Sequence, residues 1–480
     1  MNGDTIQVGG AVTSATVVDD ASAPRAWLLD DATRSALQIA ADEAVAAAQQ
    51  HVAYGRTTGV GANRNQSADD ADGGHGLRLV RSHATGAGRD LGPEVARASM
   101  LIRAHQLAQP GSGIPPAVVD ALVDAANADR TFVVREFGGM GTGDITSLAE
   151  LALCLLGERP WRDGERAAYL RSLDASGALS FMSSSAPTLA VAAMGATGLS
   201  RLLHESIVVA GLSAAAVRGN PQQWSSVAAG TRPSDGVGCV AEVLRSVAGT
   251  DGTPARTQDP LSFRCIPFVA GPALDVAGEL STEVDRCIAA QAENPRFADG
   301  AVWHHGAFML TSLGLRLDAA RLGLVQWAST SLARLVKLHD PQYTGGMNFL
   351  ADGPSGSSGT MVLEYTAGSA LETVRQLADP SSRHTTTISI GTEDHASFAT
   401  RGALALREMV DAGRVVIACE LLAAVRTLRL LPQDELTPHA RRALAACADL
   451  PSGREDRPHV DDVAAAVRAL PLLSDVRTDS

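Results

Sequence analysis

Apolar residues recur at threefold to fourfold spacing along most of the chain, and that periodicity predicts helices over 28–53, 93–109, 115–128, 144–157 and 185–218. Asn220-Pro221 stops the last of these. A longer run over 308–338 carries Leu315, Leu322, Leu324, Val325, Leu332, Leu335 and Val336, and a second covers 396–431. Two short helical patterns follow Pro432, over 437–449 and 460–469. Polar, glycine-bearing stretches over 63–76, 249–262 and 340–359 read as loops. Long helices spaced through one chain have apolar faces that a single copy does not cover, so the pattern predicts self-assembly. No internal repeat is visible, and the chain reads as an N-terminal helical region 1–200, a central long-helix region 201–431 and a C-terminal tail 432–480.

Composition agrees with a mainly α protein: 480 residues, 45% hydrophobic and only 4% aromatic, with alanine and leucine dominant. The formal net charge of −13, without a basic cluster, argues against nucleic acid and anionic membranes as partners. No stretch is apolar enough to span a bilayer, and Met1 to Val12 has neither a basic start nor an apolar core, so the expected location is the cytoplasm. Cys154, Cys239, Cys265, Cys287, Cys419 and Cys447 lie far apart and read as free thiols. The histidines lack metal-site spacing, and no metal is expected.

The densest local signal is Gly138-Gly-Met-Gly-Thr-Gly-Asp144, between the β-prone run Phe132, Val133, Val134, Phe137 and the helical pattern from Ile145. Its alternating glycines fall one residue short of a dinucleotide fingerprint, and no Lys-Ser/Thr pair follows for a phosphate loop. Taken alone, it is a turn with Asp144 capping the next helix.

Other motifs accompany it in order: Tyr54-Gly-Arg-Thr-Thr-Gly-Val-Gly61, Ser82-His-Ala-Thr-Gly86, Gln258-Asp-Pro-Leu-Ser-Phe-Arg-Cys265, Glu293-Asn-Pro295 and Glu393-Asp-His-Ala-Ser397. Together they resemble the aromatic amino acid ammonia-lyases, and histidine ammonia-lyase most closely, from about residue 26 to 430. The resemblance implies a long-helix bundle of the fumarase/aspartase type, a homotetramer with active sites built from more than one subunit, and a small amino-acid-like substrate.

Ammonia elimination must break a weakly acidic β C–H bond and expel a poor leaving group, so it needs a base, an electrophile and a carboxylate clamp. By resemblance Tyr54 is the base and Arg264 the clamp, with Gln258 beside it in the same motif. An interfacial tyrosine and a structural arginine are the plainer alternatives. The family makes its electrophile, methylidene-imidazolone, by cyclising Ala-Ser-Gly. Here the tripeptide is Gly141-Thr142-Gly143, followed by the matching Asp144. Dehydrated threonine would leave an ethylidene whose methyl covers the carbon to be attacked. The turn is then either a crowded self-derived group or uncyclised, and no other cofactor is implied.

His83 and Glu393 resemble the histidine-using members, and a carboxylate at 393 suits an imidazole or another polar group. Asp394 and His395 read equally as caps of the helix from about Ala396. The departures cluster: Leu261 replaces the family's tyrosine, Ser183 its asparagine and Thr392 its glutamine, while Val302-Trp-His304-His-Gly306 replaces Gly-Asn-Phe-His-Gly. Each loss touches the electrophile or its pocket, whereas Tyr54 and Arg264 persist. Three readings follow. One is an ammonia-lyase or aminomutase acting on histidine or a related polar amino acid. Another is a lyase-fold biosynthetic enzyme working through Tyr54 without the electrophile. The third is a silent binding homologue.

Overall fold

The computed structural model describes residues 5–251, 253–453 and 455–476, and it is mainly helical. The chain divides into two compact units, and each is drawn from separated segments: 1–197, 281–317 and 380–404 form the first, and 198–280, 318–379 and 405–480 the second.

In the first unit the anticipated helices appear as Asp31–Gln50, Pro93–Leu107, Pro116–Asn127 and Ile145–Leu155. Asp30 starts the first of these by accepting from the Thr33 N–H. Pro93 opens the second, where its missing N–H costs nothing. Every residue of that helix from Val95 to Leu107 is buried, including Arg97 and Arg103. Both guanidiniums are therefore paired: Arg97 Nε meets Asp20 Oδ2 at 2.9 Å, and Arg103 Nη1 meets Glu293 Oε1 at 2.7 Å. Short strands pair two by two, Thr5–Gln7 parallel to Ala26–Leu28, Ala87–Asp90 antiparallel to Arg135–Phe137, and Arg296–Ala298 antiparallel to Ala301–Trp303.

In the second unit Glu420 is a buried junction. Its carboxylate accepts from Arg334 Nε at 2.6 Å, Ser331 Oγ at 2.5 Å and Ser213 Oγ at 2.7 Å. The Arg334 guanidinium lies 4.4 Å from the Trp327 ring centroid, and the Trp327 indole N–H donates to Ser206 Oγ. These residues tie together the helices Ala186–Ala216, Thr311–Leu338 and Ala399–Leu428, all foreseen from the apolar spacing.

Helices Asp235–Ala248, Ile266–Ile288 and Val362–Gln376 were not foreseen. The second holds Pro272 inside it. A Cβ on Gly236 would lie 2.2 Å from the Gly271 carbonyl oxygen, so the first two helices touch through bare backbone, which apolar spacing does not signal. Among the described residues the six cysteines form no disulfide, as the sequence suggested. Among the described residues no helix is long and apolar enough to cross a membrane.

Candidate active site

Tyr54 sits just beyond the helix Asp31–Gln50, in a turn closed by the Arg56 and Thr57 N–H groups on the Ala53 carbonyl. Gly55 adopts φ +72°, and a Cβ there would lie 2.2 Å from Leu179 Cδ2, so only glycine lets the turn pack this closely. Buried Arg56 donates to the Ser112 and Gly113 carbonyls and lies 4.2 Å from the Phe297 ring centroid. Burial lowers its guanidinium to about 10.

The Tyr54 hydroxyl accepts from the Gly61 N–H at 2.7 Å. Burial raises this phenol above its ordinary value, the Gly61 N–H pulls it back, the Glu393 carboxylate raises it and Arg64 lowers it. The Tyr54 backbone N–H donates to His304 Nε2 at 3.2 Å. Ser389 Oγ accepts from the Ala62 N–H, and Arg64 donates to Thr392 Oγ1 at 2.7 Å, which brings the 388–393 segment to the tyrosine loop.

The Gly-Thr-Gly turn is packed from several sides. Gly141 and Gly143 have φ of +78° and +112°. The Gly141 carbonyl accepts from Ser397 Oγ at 3.0 Å and from the Leu310 N–H at 3.2 Å. The Phe398 N–H donates to the Met140 carbonyl at 2.9 Å. Leu310 and Phe398 immediately precede the helices Thr311–Leu338 and Ala399–Leu428, whose positive ends are thereby turned toward the loop.

Asp144 takes the residue position before Ile145–Leu155, but its side chain does not cap that helix. Its carboxylate instead accepts from the Thr188 N–H at 2.7 Å and Thr188 Oγ1 at 3.0 Å. Burial pushes its carboxyl up to about 6 despite those donors. Asp394 and His395 also lie too early to cap the helix that begins at Ala399. His395 Nδ1 meets Thr385 Oγ1 at 3.0 Å, and it is Ser397 Oγ that accepts from the Ala399 N–H.

A cavity of about 710 Å³ in the first unit gathers Tyr54, His83, Thr142, Gly143, Ser183, His304 and Glu393. Arg64, Thr146, Asn294, Phe308 and Thr392 share its wall. Ser183 ends the helix Ala175–Met182 and accepts from the Asn294 N–H at 3.0 Å. His83 ends the helix His75–His83, and its Nδ1 lies 2.8 Å from the Leu79 carbonyl. Gly141 and Asp144 stand behind the turn rather than on the cavity wall. Gln258 and Arg264 belong to the second unit, where Arg264 Nη1 donates to Gln258 Oε1 at 2.5 Å; neither lines this cavity. Ser397, from the motif Glu393–Ser397, and Thr188, which lies in no motif, have structural roles without a local sequence signal.

A model of the family described as aromatic amino acid lyase matches residues 12–449. The histidine ammonia-lyase of Streptomyces griseus is 30% identical, with 96% of each chain covered. That of Symbiobacterium thermophilum is 31% identical, with 82% of each covered. Among solved structures, the ergothioneine-degrading ergothionase of Treponema denticola superposes with a TM-score of 0.91 at 23% identity, over 98% of this chain and 99% of that one. The histidine ammonia-lyase of Trypanosoma cruzi does so with 0.88 at 23% identity, over 99% and 96%. The structural likenesses establish the ammonia-lyase fold. With the match over 12–449 and relatives of 30% identity, the chain belongs to the aromatic amino acid lyase family, which comprises carbon–nitrogen lyases.

Proposed function

We propose that this chain is a carbon–nitrogen lyase that expels a preformed tertiary amine from a histidine-like acid, with Tyr54 as base and without a backbone-derived electrophile. The observation that carries this reading is the setting of Gly141-Thr142-Gly143. Cyclisation would expel the Gly141 carbonyl oxygen, the acceptor for Ser397 Oγ–H and the Leu310 N–H. Both donors are buried, and losing a buried donor's partner costs about 1–3 kcal/mol. Thr142 adds a methyl to the carbon that an amine must attack. The family's methylidene-imidazolone does not fit these residues.

Without that group the amine must leave unaided. Ammonia does so poorly, whereas a trimethylammonio group departs as neutral trimethylamine. Ergothioneine, named for the Treponema denticola structure, is an α-trimethylammonio acid. In the elimination the Tyr54 phenolate oxygen takes the β-proton and becomes the phenol, the C–H electron pair becomes the new C=C bond, and the C–N pair leaves on trimethylamine. The product is an α,β-unsaturated acid. A fixed positive charge on the substrate also lowers the neighbouring phenol, offsetting the burial that raises Tyr54.

Arg264 holds the substrate carboxylate from another copy in a homotetramer. Support comes from apolar residues left exposed: Leu261 at 62%, Leu315 at 55% and Leu322 at 48%. The test pairs an intact mass with an amine assay. An unmodified mass together with trimethylamine release from trimethylated histidine or ergothioneine is expected. A mass lower by two waters, with ammonia released from histidine, would sink the proposal.

A further inference from the structure

His304 stands where the family pattern has phenylalanine, so it is a feature of this chain rather than of the fold. We infer that His304 makes the cavity selective for a substrate ring that carries a hydrogen-bond acceptor, the imidazole-2-thione class, in preference to plain imidazole. The inference rests on the elimination reading of this cavity. A backbone N–H only donates, so the Tyr54 contact at 3.2 Å makes Nε2 of His304 the acceptor and leaves the proton on Nδ1. His83 has the opposite arrangement. The Leu79 carbonyl only accepts, so Nδ1 of His83 is the donor, with Ser82 Oγ also 3.1 Å away, and the neutral ring keeps a free acceptor at Nε2.

His83, His304 and Glu393 line the same cavity. Their hydrogen-bonding capacity is two acceptors, His83 Nε2 and the Glu393 carboxylate, and one donor, His304 Nδ1–H. An imidazole-2-thione has two ring N–H donors and a sulfur acceptor between them. A neutral imidazole offers one donor and one acceptor, which leaves one of the three groups unmatched. A site built to hydrogen-bond a group discriminates against the analogue lacking it because its own polar atom is then left without a partner. The phenylalanine of the family pattern could make no such distinction.

The experiment is equilibrium binding of ergothioneine and of sulfur-free trimethylhistidine to the Tyr54→Phe chain, which binds without turnover. The parent is expected to bind ergothioneine about tenfold more tightly, as one neutral hydrogen bond is worth. His304→Phe should abolish that ratio, and His304→Gln, which keeps an N–H donor, should retain part of it. Because His304 also holds the tyrosine loop, a loss common to both ligands is expected, and only the ratio reads the inference. An unchanged ratio in His304→Phe, or equal affinities in the parent, overturns it. Trimethylamine release by wild type separates the two proposals: a thione preference without release leaves the inference standing and removes the elimination reading, and release with equal affinities does the reverse. Failure of both ligands to bind removes both.

Discussion

The Ser397 hydroxyl donates to the Gly141 carbonyl at 3.0 Å across 256 positions of sequence, and a methyl on Gly141 would lie 2.1 Å from that same hydroxyl oxygen. Glycine at the first position of the turn is therefore a packing requirement as well as a departure from alanine. Gly141→Ala meets both this collision and a φ of +78°, and the Ala399 nitrogen stands only 2.9 Å from the added carbon. A loss of about 1–3 kcal/mol is expected in urea unfolding. Adding Ser397→Ala should restore part of it. A neutral Gly141→Ala would show that the turn moves freely.

Turnover separates Thr142 from Tyr54. Thr142→Ala should keep trimethylamine release within a few-fold of wild type, since threonine only walls the cavity. Tyr54→Phe removes the base and should lower kcat by about 10² to 10⁴. Equal losses in the two variants would place chemistry on Thr142.

The buried Asp144 carboxyl gives a pH dependence of definite sign. Its folded value of about 6 stands above the ordinary 3.8, so the folded state holds the proton more tightly. Its contribution to stability is complete below about pH 4 and is lost as pH rises through 6. The stability difference between wild type and Asp144→Asn should fall by about 3 kcal/mol from pH 3 to 7. A flat or rising difference would contradict this.

Glu420→Gln keeps the shape of the buried junction but removes the charge that matches Arg334. Breaking a buried pair by removing one partner costs about 3–5 kcal/mol. Chemical denaturation should show the midpoint falling without a change in slope. A loss below 1 kcal/mol would mean that water reaches the site.

Apolar spacing located Pro93–Leu107, Ile145–Leu155 and Ala399–Leu428 because each is a regular helix with no proline beyond its first position and apolar residues at helical spacing. It failed at Ile266–Ile288, where Pro272 and Gly271 look like breakers until the Gly236 backbone is seen lying against Gly271. At the cavity, the separated motifs supplied Tyr54, His83, Thr142, Ser183, His304 and Glu393, all of which meet in one place. What remained hidden was which partner each side chain takes. Asp144 turns to Thr188 rather than to its own helix, and Ser183 to Asn294, through contacts 44 and 111 positions apart. Local sequence has no signature for such pairings.

Arg56 fixes the root of the tyrosine loop with two neutral carbonyls, Ser112 and Gly113, and an aromatic face. A guanidinium near 10 stays charged at neutral pH, and neither of its carbonyl acceptors titrates. That anchor is buried, so dissolved ions screen it little. Acid, base and salt consequently have little purchase on the root of the loop. The outer contacts of the loop, Tyr54 with His304 and Gly61 and Ala62 with Ser389, are single hydrogen bonds without such an anchor.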